Sequence, residues 1–252
     1  MTYDKLSDID VAEIAKRRSR DPLLYPRRTD HSTEICKSPC PFGPDLQGYW
    51  DARHRLFSKF DEGIKVDRQG LHSLKFEAAA LEIGRTIQGD RVLDPFCGVG
   101  GSAIGIARAG KRVISIDLDK ERLEMAAHNA RIYGVADQIE FVHGEAVSLM
   151  GRYDVDAIYL DPPWGGSVYI DKEWFAFDDF QPDGKTLLAH ALKRVPHVVF
   201  TLPVNFDLRQ ISDVAKDCFL QWSYFDDDKL FLTAYFGFNP FATDRAMQLR
   251  SS

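Results

Sequence analysis

No stretch of this chain approaches the ~18 consecutive apolar residues that a membrane-spanning helix needs, so no membrane role is expected. The opening "MTYDKLSDID" carries acids where a signal peptide has a basic start and an apolar stretch. The expected compartment is therefore the cytosol, or the nucleus in a cell that has one. Cysteine is scarce, and the four present (Cys36, Cys40, Cys97 and Cys218) are too few and too scattered for a disulfide framework. Cys36-x-x-x-Cys40, with His31 nearby, could seed a zinc site, but no second Cys/His pair at finger spacing completes it, and no metal is expected. A basic excess is missing as well: the net charge of −6 argues against a protein that coats nucleic acid through bulk electrostatics. Residues 1–75 carry 14 Lys+Arg against 12 Asp+Glu and the remainder 18 against 26, so a polyanion would be met locally, by the N-terminal part. A small or short substrate fits this balance better than a long duplex. Internal repeats and low-complexity tracts are also absent.

What is present is an ordinary globular composition, 44% apolar and 28% charged over 252 residues, enough for one α/β domain with an ample core. The first 48 residues read as an arm, partly irregular, with one amphipathic stretch from Val11 to Arg18 and then a run rich in prolines and turn formers. In "YWDARHRLFSKF", Trp50, His54, Phe57 and Phe60 fall at helical spacing; packing on a core explains those rings as well as binding does. Residues 49–88 are expected to form a helical extension ending in a helix from about Lys75 to Gln88. Then β-α units alternate: "RVLDPF", a glycine turn, "SAIGIARAG", "KRVISID", "KERLEMAAHNARIYG", "QIEFVHG" and "DAIYLDPP". A helix near Lys185–Lys193, the strand "HVVFTLP", a helix from about Leu208 to Lys216 and the strands "FLQWSYF" and "LFLTAYFGF" follow, the last two joined by "DDDK" as a hairpin. The expected fold is α/β and Rossmann-like, a mostly parallel seven-stranded sheet with a C-terminal antiparallel hairpin, as in class I S-adenosylmethionine-dependent methyltransferases. The catalytic domain would span 89–240 and a tail 241–252.

"VLDPFCGVGGSA" contains Gly98-x-Gly100-x-x-Ala103, which satisfies the dinucleotide fingerprint. Glycine spacing alone does not separate NAD from S-adenosylmethionine; charge does. Asp94 at the end of the first strand would repel a pyrophosphate but suits the ammonium of a methionine moiety. Asp117 ends the second strand, where an acid can accept both ribose hydroxyls. Glu145 follows the third, where a polar group can read an adenine edge, although each acid alone could be a helix cap. The expected cofactor is S-adenosylmethionine, held by Asp94, Phe96, Cys97, Gly98, Gly100, Asp117, Leu118, Glu145, Ala146 and Asp161.

Asp161-Pro162-Pro163-Trp164 follows the fourth strand, at the carboxyl edge of the sheet where the transferable methyl would lie. An exocyclic amine on a base is a poor nucleophile because its lone pair is delocalised into the ring. A carboxylate and a proline carbonyl can accept its two hydrogens and turn the lone pair toward the methyl group. Trp164 offers a face for a planar base, a stack worth about 1–3 kcal/mol. Asp161, Pro162 and Trp164 are therefore the candidate catalytic residues for amino-group methylation.

The stretches "LFSKFDEGIKVDRQG", "LDPFCGVGG", "HNARIYGVADQIEF", "DPPWGGSVY" and "LTAYFG" together resemble the trimethylguanosine synthase family, which methylates N2 of a 7-methylguanosine cap. The similarity runs from about Tyr49 to Gly237. It implies that Trp164 stacks on the methylated base, that Asn129 lies near the base, and that Lys65, Tyr169 and Lys229 face the cap phosphates. It also implies that Phe60–Asp67 forms a lid over cofactor and base. Two positions depart from the family pattern: Asp161 stands where the eukaryotic enzymes usually have Ser, and Val204 where they tend to have Arg. The expected partner is capped RNA or a guanine nucleotide, with a monomer as the default. Methylation of an amine on adenine or on a small metabolite stays open, as does a non-catalytic cap or RNA binder.

Overall fold

The computed structural model describes residues 2–5, 38–215, 218–225 and 228–240. Its strands are β1 (Thr2–Lys5), β2 (Arg91–Asp94), β3 (Arg112–Asp117), β4 (Ile139–His143), β5 (Ala157–Leu160), β6 (His197–Leu202), β7 (Cys218–Phe225) and β8 (Asp228–Phe236). The helices are α1 (Gln47–Asp51), α2 (Arg53–Leu56), α3 (Arg68–Ser73), α4 (Glu77–Thr86), α5 (Gly101–Arg108), α6 (Lys120–Ile132), α7 (Ala146–Met150), α8 (Gly184–Arg194) and α9 (Arg209–Ser212). No described helix is long and apolar enough to cross a membrane. The chain divides into two compact units: Asp30–Tyr159, and Met1–Thr29 together with Leu160–Ser252.

In the unit Asp30–Tyr159 the strands run in the order β5-β2-β3-β4, and every pairing is parallel. The residues of β5 are all buried, as are the last three of β2, the continuous apolar pattern of strands covered on both faces. The register sets Asp94 beside Ser115 and Asp117 beside His143, so that acids and glycines gather at the carboxyl ends of β2 and β3.

Helices α4 and α5 meet through two glycines. A Cβ on Gly105 would lie 2.6 Å from the Ala80 Cβ and 2.7 Å from its carbonyl carbon, and one on Gly84 would lie 2.7 Å from the Ile106 Cα. Backbones this close leave no room for a side chain. Gly105→Val is therefore expected to cost about 2–3 kcal/mol of stability through overpacking, read as a fall in the denaturant midpoint at unchanged m-value.

The aromatic spacing in "YWDARHRLFSKF" does not make one helix. The chain turns at Ala52, α2 ends at Leu56, and Phe60 returns in a 3-10 turn to set its ring edge-on to Trp50, with centroids 5.5 Å apart. Arg53, largely buried, places its guanidinium 4.9 Å from the Trp50 ring. Phe57, 1% exposed, packs on Tyr133. Trp50, Phe57 and Phe60 therefore pack against neighbouring rings, while His54 is exposed beside Asp61.

In the other unit the order is β1-β7-β8-β6, all antiparallel. The expected hairpin is β7–β8. β1 was not expected: it pairs with β7 from Thr2 opposite Trp222 to Lys5 opposite Phe219, bringing the described strands to eight. Leu187, Leu188 and Ala191 bury one face of α8, while Phe175, Phe177, Phe180, Phe200 and Phe206 form an aromatic cluster. The helix expected over Leu208–Lys216 is confined to Arg209–Ser212. Val11–Arg18, His31, Cys36 and residues 241–252 lie outside the described residues.

Candidate active site

The first group of site residues lies in the unit Asp30–Tyr159, where β2 runs into a turn built around its own terminal acid. Asp94 is wholly buried; one carboxylate oxygen accepts the Phe96 amide at 3.2 Å and the other the Ser115 hydroxyl at 2.9 Å. The amide of Cys97 donates to the Ile116 carbonyl at 2.8 Å, and that of Gly98 to the Asp117 carboxylate at 2.7 Å. Gly100, at φ +91°, then caps α5, and a side chain there would meet Ala126 at 3.0 Å. Left-handed backbone at Gly98 and Gly100, plus the close approach to α6, explains the glycine pattern without any ligand. Burial pushes the Cys97 thiol well above its ordinary pKa, and the Asp94 carboxylate adds to the effect, so it stays a neutral wall of the turn.

Asp117 is half-buried at the end of β3. Its second oxygen accepts the Asp119 amide at 2.9 Å, and each oxygen keeps a further lone pair able to accept from another donor. Leu118 follows, 67% exposed, and its carbonyl is bonded to the His143 ring at 3.0 Å.

Glu145 has a different occupation. Its carboxylate accepts the amides of Val147 at 2.9 Å and Ser148 at 2.7 Å, with the Ser148 hydroxyl also bound to it, which makes it the N-cap of α7. The hydrogen bond from the Ser148 side chain, followed by that from Val147, holds its pKa below the usual carboxylate range. Here the capping alternative is what the geometry displays. Ala146 is buried beside it.

The resemblance implies that Asn129 lies near the base; its amide is fully buried and engaged with backbone. Its Oδ1 accepts the Lys65 amide at 2.8 Å, and its Nδ2 donates to the carbonyls of Lys65 at 2.8 Å and Val99 at 3.0 Å. Lys65 itself is exposed. The segment expected as a lid, Phe60–Asp67, bonds α6 through the Gly63 carbonyl to His128 and through Asp67 to Arg122, while flanking Gln69 also accepts from Arg122 and the amide of flanking Lys59 donates to the Tyr133 hydroxyl at 3.2 Å. Tyr133 also donates to Glu77 at 2.6 Å, and Glu77 accepts from Ser58 and Arg108. Burial opposes ionisation of Glu77, yet the bonds from Tyr133, Ser58 and Arg108 hold its pKa below the ordinary value. Burial, and then the bond to Glu77, raises that of Tyr133. Asn129 and Tyr133 each lie within about 20° of Arg122 round the helix axis, on opposite sides of it. That polar stripe was open to a periodicity argument and was missed.

The second group lies in the unit containing 160–252. Asp161 is half-buried, Pro162 buried, Pro163 exposed and Trp164 half-buried. Gly165 and Gly166 take positive φ, which starts a 3-10 turn over Gly166–Asp171. The Tyr169 ring stands edge-on to Trp164, with centroids 5.1 Å apart, and Tyr169 in turn contacts Phe175. Asn205, absent from the sequence-based set, secures this loop: its Nδ2 donates to the carbonyls of Tyr169 at 2.8 Å and Lys172 at 2.9 Å, and its main-chain carbonyl accepts the Phe175 amide at 2.9 Å. A polar residue two positions after the Leu202-Pro203 strand end was the available signal. Val204 precedes it, half-buried. Lys229 lies on β8 with its ammonium 4.3 Å from the Trp222 ring centroid.

The sequence signature of RNA cap guanine-N2 methyltransferases matches residues 89–226, more than half of the chain. The chain belongs to that family. Trimethylguanosine synthase of Schizosaccharomyces pombe is 35% identical over 185 residues, which cover 69% of this chain and 77% of the relative. The trimethylguanosine synthase of Saccharomyces cerevisiae is 33% identical over 181 residues, 67% of this chain and 58% of the relative, so this chain matches little more than half of that protein. A crystal structure of a proposed methyltransferase from Porphyromonas gingivalis W83 superposes with a TM-score of 0.57 at 18% identity, covering 95% of this chain and 60% of that one. The last likeness concerns the fold alone, and it agrees with the Rossmann-like class I architecture.

Family membership implies S-adenosylmethionine as methyl donor, and the residues of the Asp30–Tyr159 unit fit it. Asp117 keeps acceptor capacity suited to ribose hydroxyls and exposed Leu118 suits an apolar ring face, while in the glycine turn Gly98 is half-buried and Val99 and Gly100 are buried. Asp94 fits less directly, since its carboxylate is buried and organises the turn.

Proposed function

We propose that this chain transfers a methyl group from S-adenosylmethionine to the exocyclic N2 of guanosine, with a 7-methylguanosine cap or a related nucleotide as acceptor. The observation that carries the reading is the turn Asp161–Trp164, in which a half-buried carboxylate, rigid proline carbonyls and an indole braced by Tyr169 follow one another directly. The donor supplies an electrophilic methyl on a sulfonium. Trp164 holds the base by stacking, and a cationic 7-methylated ring strengthens that stack through cation–π attraction. The Asp161 carboxylate and the Pro162 carbonyl accept the two amine hydrogens, which localises the nitrogen lone pair and orients it for in-line displacement. One N–C bond forms as the S–C bond breaks, and the amine proton leaves to Asp161 or solvent.

Incubation with donor and 7-methyl-GTP, a cap dinucleotide and capped RNA, followed by nucleoside mass spectrometry, is expected to show the mass increment of a methyl group on guanine. No product from any guanine substrate would overturn the reading. The carboxylate at position 161 supports a second reading, methylation of an adenine amine, and adenine-containing RNA in the same panel separates the two. Asp161→Ser is expected to lower kcat on guanine about tenfold, the worth of one charge-assisted hydrogen bond, while donor affinity holds. Unchanged kcat would mean that the proline carbonyl alone orients the amine.

A further inference from the structure

We propose that Asn129 is a positioning residue for the methyl donor, acting through the glycine turn and not through the acceptor base. This rests on reading the turn Asp94–Gly100 as the donor site.

The argument begins with what a primary amide can do. It has two N–H donors and one carbonyl oxygen, and in Asn129 all three functions are used on backbone: Lys65 N–H, Lys65 C=O and Val99 C=O. The side chain pairs with Lys65 as a neighbouring strand would, closing both of its backbone groups, and spends its remaining N–H on the middle of the glycine turn. Neither Asp, with no donor, nor Leu, with no polar group, can make this set. Because the amide is wholly buried, losing it would strand two carbonyls and one amide from solvent.

The segment on the other side of this bond is anchored along α6 at alternate positions. Gly63 meets His128, Lys65 meets Asn129, and Asp67 and Gln69 meet Arg122, so the chain runs antiparallel to the helix. It then presses on the same turn a second time: a Cβ on Gly70 would fall 2.6 Å from the Val99 side chain and 2.6 Å from the Asp67 carboxylate that caps α3. Val99 is thus held between Asn129 at its carbonyl and Gly70 at its side chain. The residue between the two left-handed glycines is where such a turn would otherwise have most freedom, and α6 and Gly63–Gly70 together remove it. The donor turn and the segment from Gly63 to Gly70 form one wall.

The test measures S-adenosylhomocysteine binding by calorimetry without acceptor, beside steady-state kinetics with 7-methyl-GTP. Asn129→Ala is expected to weaken S-adenosylhomocysteine about tenfold, as loss of one to two net hydrogen bonds predicts, and to raise the KM for donor by a similar factor. The KM for acceptor and kcat at saturating donor stay near their original values. Gly70→Ala approaches the same junction from its other side and is expected to weaken S-adenosylhomocysteine in the same direction, so the inference does not depend on one variant folding well. A residue serving fold stability alone would lower the fraction of active protein and leave both KM values in place, which overturns the proposal. So would a raised acceptor KM with unchanged donor affinity, which would put Asn129 at the base. If the unaltered chain fails to bind S-adenosylhomocysteine, the donor-site reading falls and this inference with it; normal binding by both the unaltered and Asn129→Ala chains overturns the inference alone.

Discussion

Trp164→Ala is expected to lower kcat/KM on a 7-methylguanosine substrate about 100-fold while leaving S-adenosylhomocysteine affinity nearly unchanged. The magnitude follows from a stack worth about 1–3 kcal/mol per base, set toward its upper end for a cationic ring. The indole also abuts Tyr169, whose carbonyl is pinned by Asn205, so its removal loosens the edge of the loop that presents the base. Trp164→Phe keeps an aromatic face and is expected to recover most of the loss. A variant that lost donor affinity as severely as turnover would contradict the assigned role, because the group proposed to hold the donor is built from other residues.

Asp117→Ala is expected to weaken the methyl donor at least 100-fold, by two routes. The proposed acceptor of the ribose hydroxyls disappears, at about 1.5–3 kcal/mol for each hydrogen bond to a charged group. In addition, the Gly98 and Asp119 amides lose their partner, so the glycine turn and the entrance to α6 are both released. Asp117→Asn separates the routes: it retains an oxygen able to accept one of those amides, and is expected to be intermediate. Calorimetry with S-adenosylhomocysteine, beside thermal unfolding of the ligand-free protein, is the measurement. Undiminished affinity in Asp117→Ala would remove Asp117 from the donor site.

The alternation of strands and helices was legible because buried parallel strands are short apolar runs and the helices between them are amphipathic and bounded by glycine. The acids at strand ends were legible for the same reason, since an acid that stops an apolar run has few places to lie. What each acid does was not. Glu145 reads the same in sequence whether it faces a ligand or caps α7, and only the distances to Val147 and Ser148 distinguish the two. Asp94 is similar, because Ser115 becomes its partner only through the β2–β3 register. Asn129 was found by resemblance, but its partners Lys65 and Val99 come from two other segments, and no local pattern reports such a junction. The break at Ala52 was missed because ring spacing satisfies a helix and a returning turn equally well.

The strand Thr2–Lys5 could not be foreseen, since four residues give no usable period and their partners lie far along the chain. Its position has a bearing that catalysis does not reveal. β7 has β8 on one side and β1 on the other, so the stretch Phe219–Trp222 is shielded from end to end by Thr2–Lys5. Without that cover it would offer a row of open amides and carbonyls, a template on which another chain can add itself. A shortened protein beginning at Tyr49, where the family resemblance starts, keeps every residue assigned to chemistry and moves the open border of the sheet from the four residues of β1 to the eight of β7. Poor solubility in such a protein would report on that border and not on the integrity of the catalytic residues.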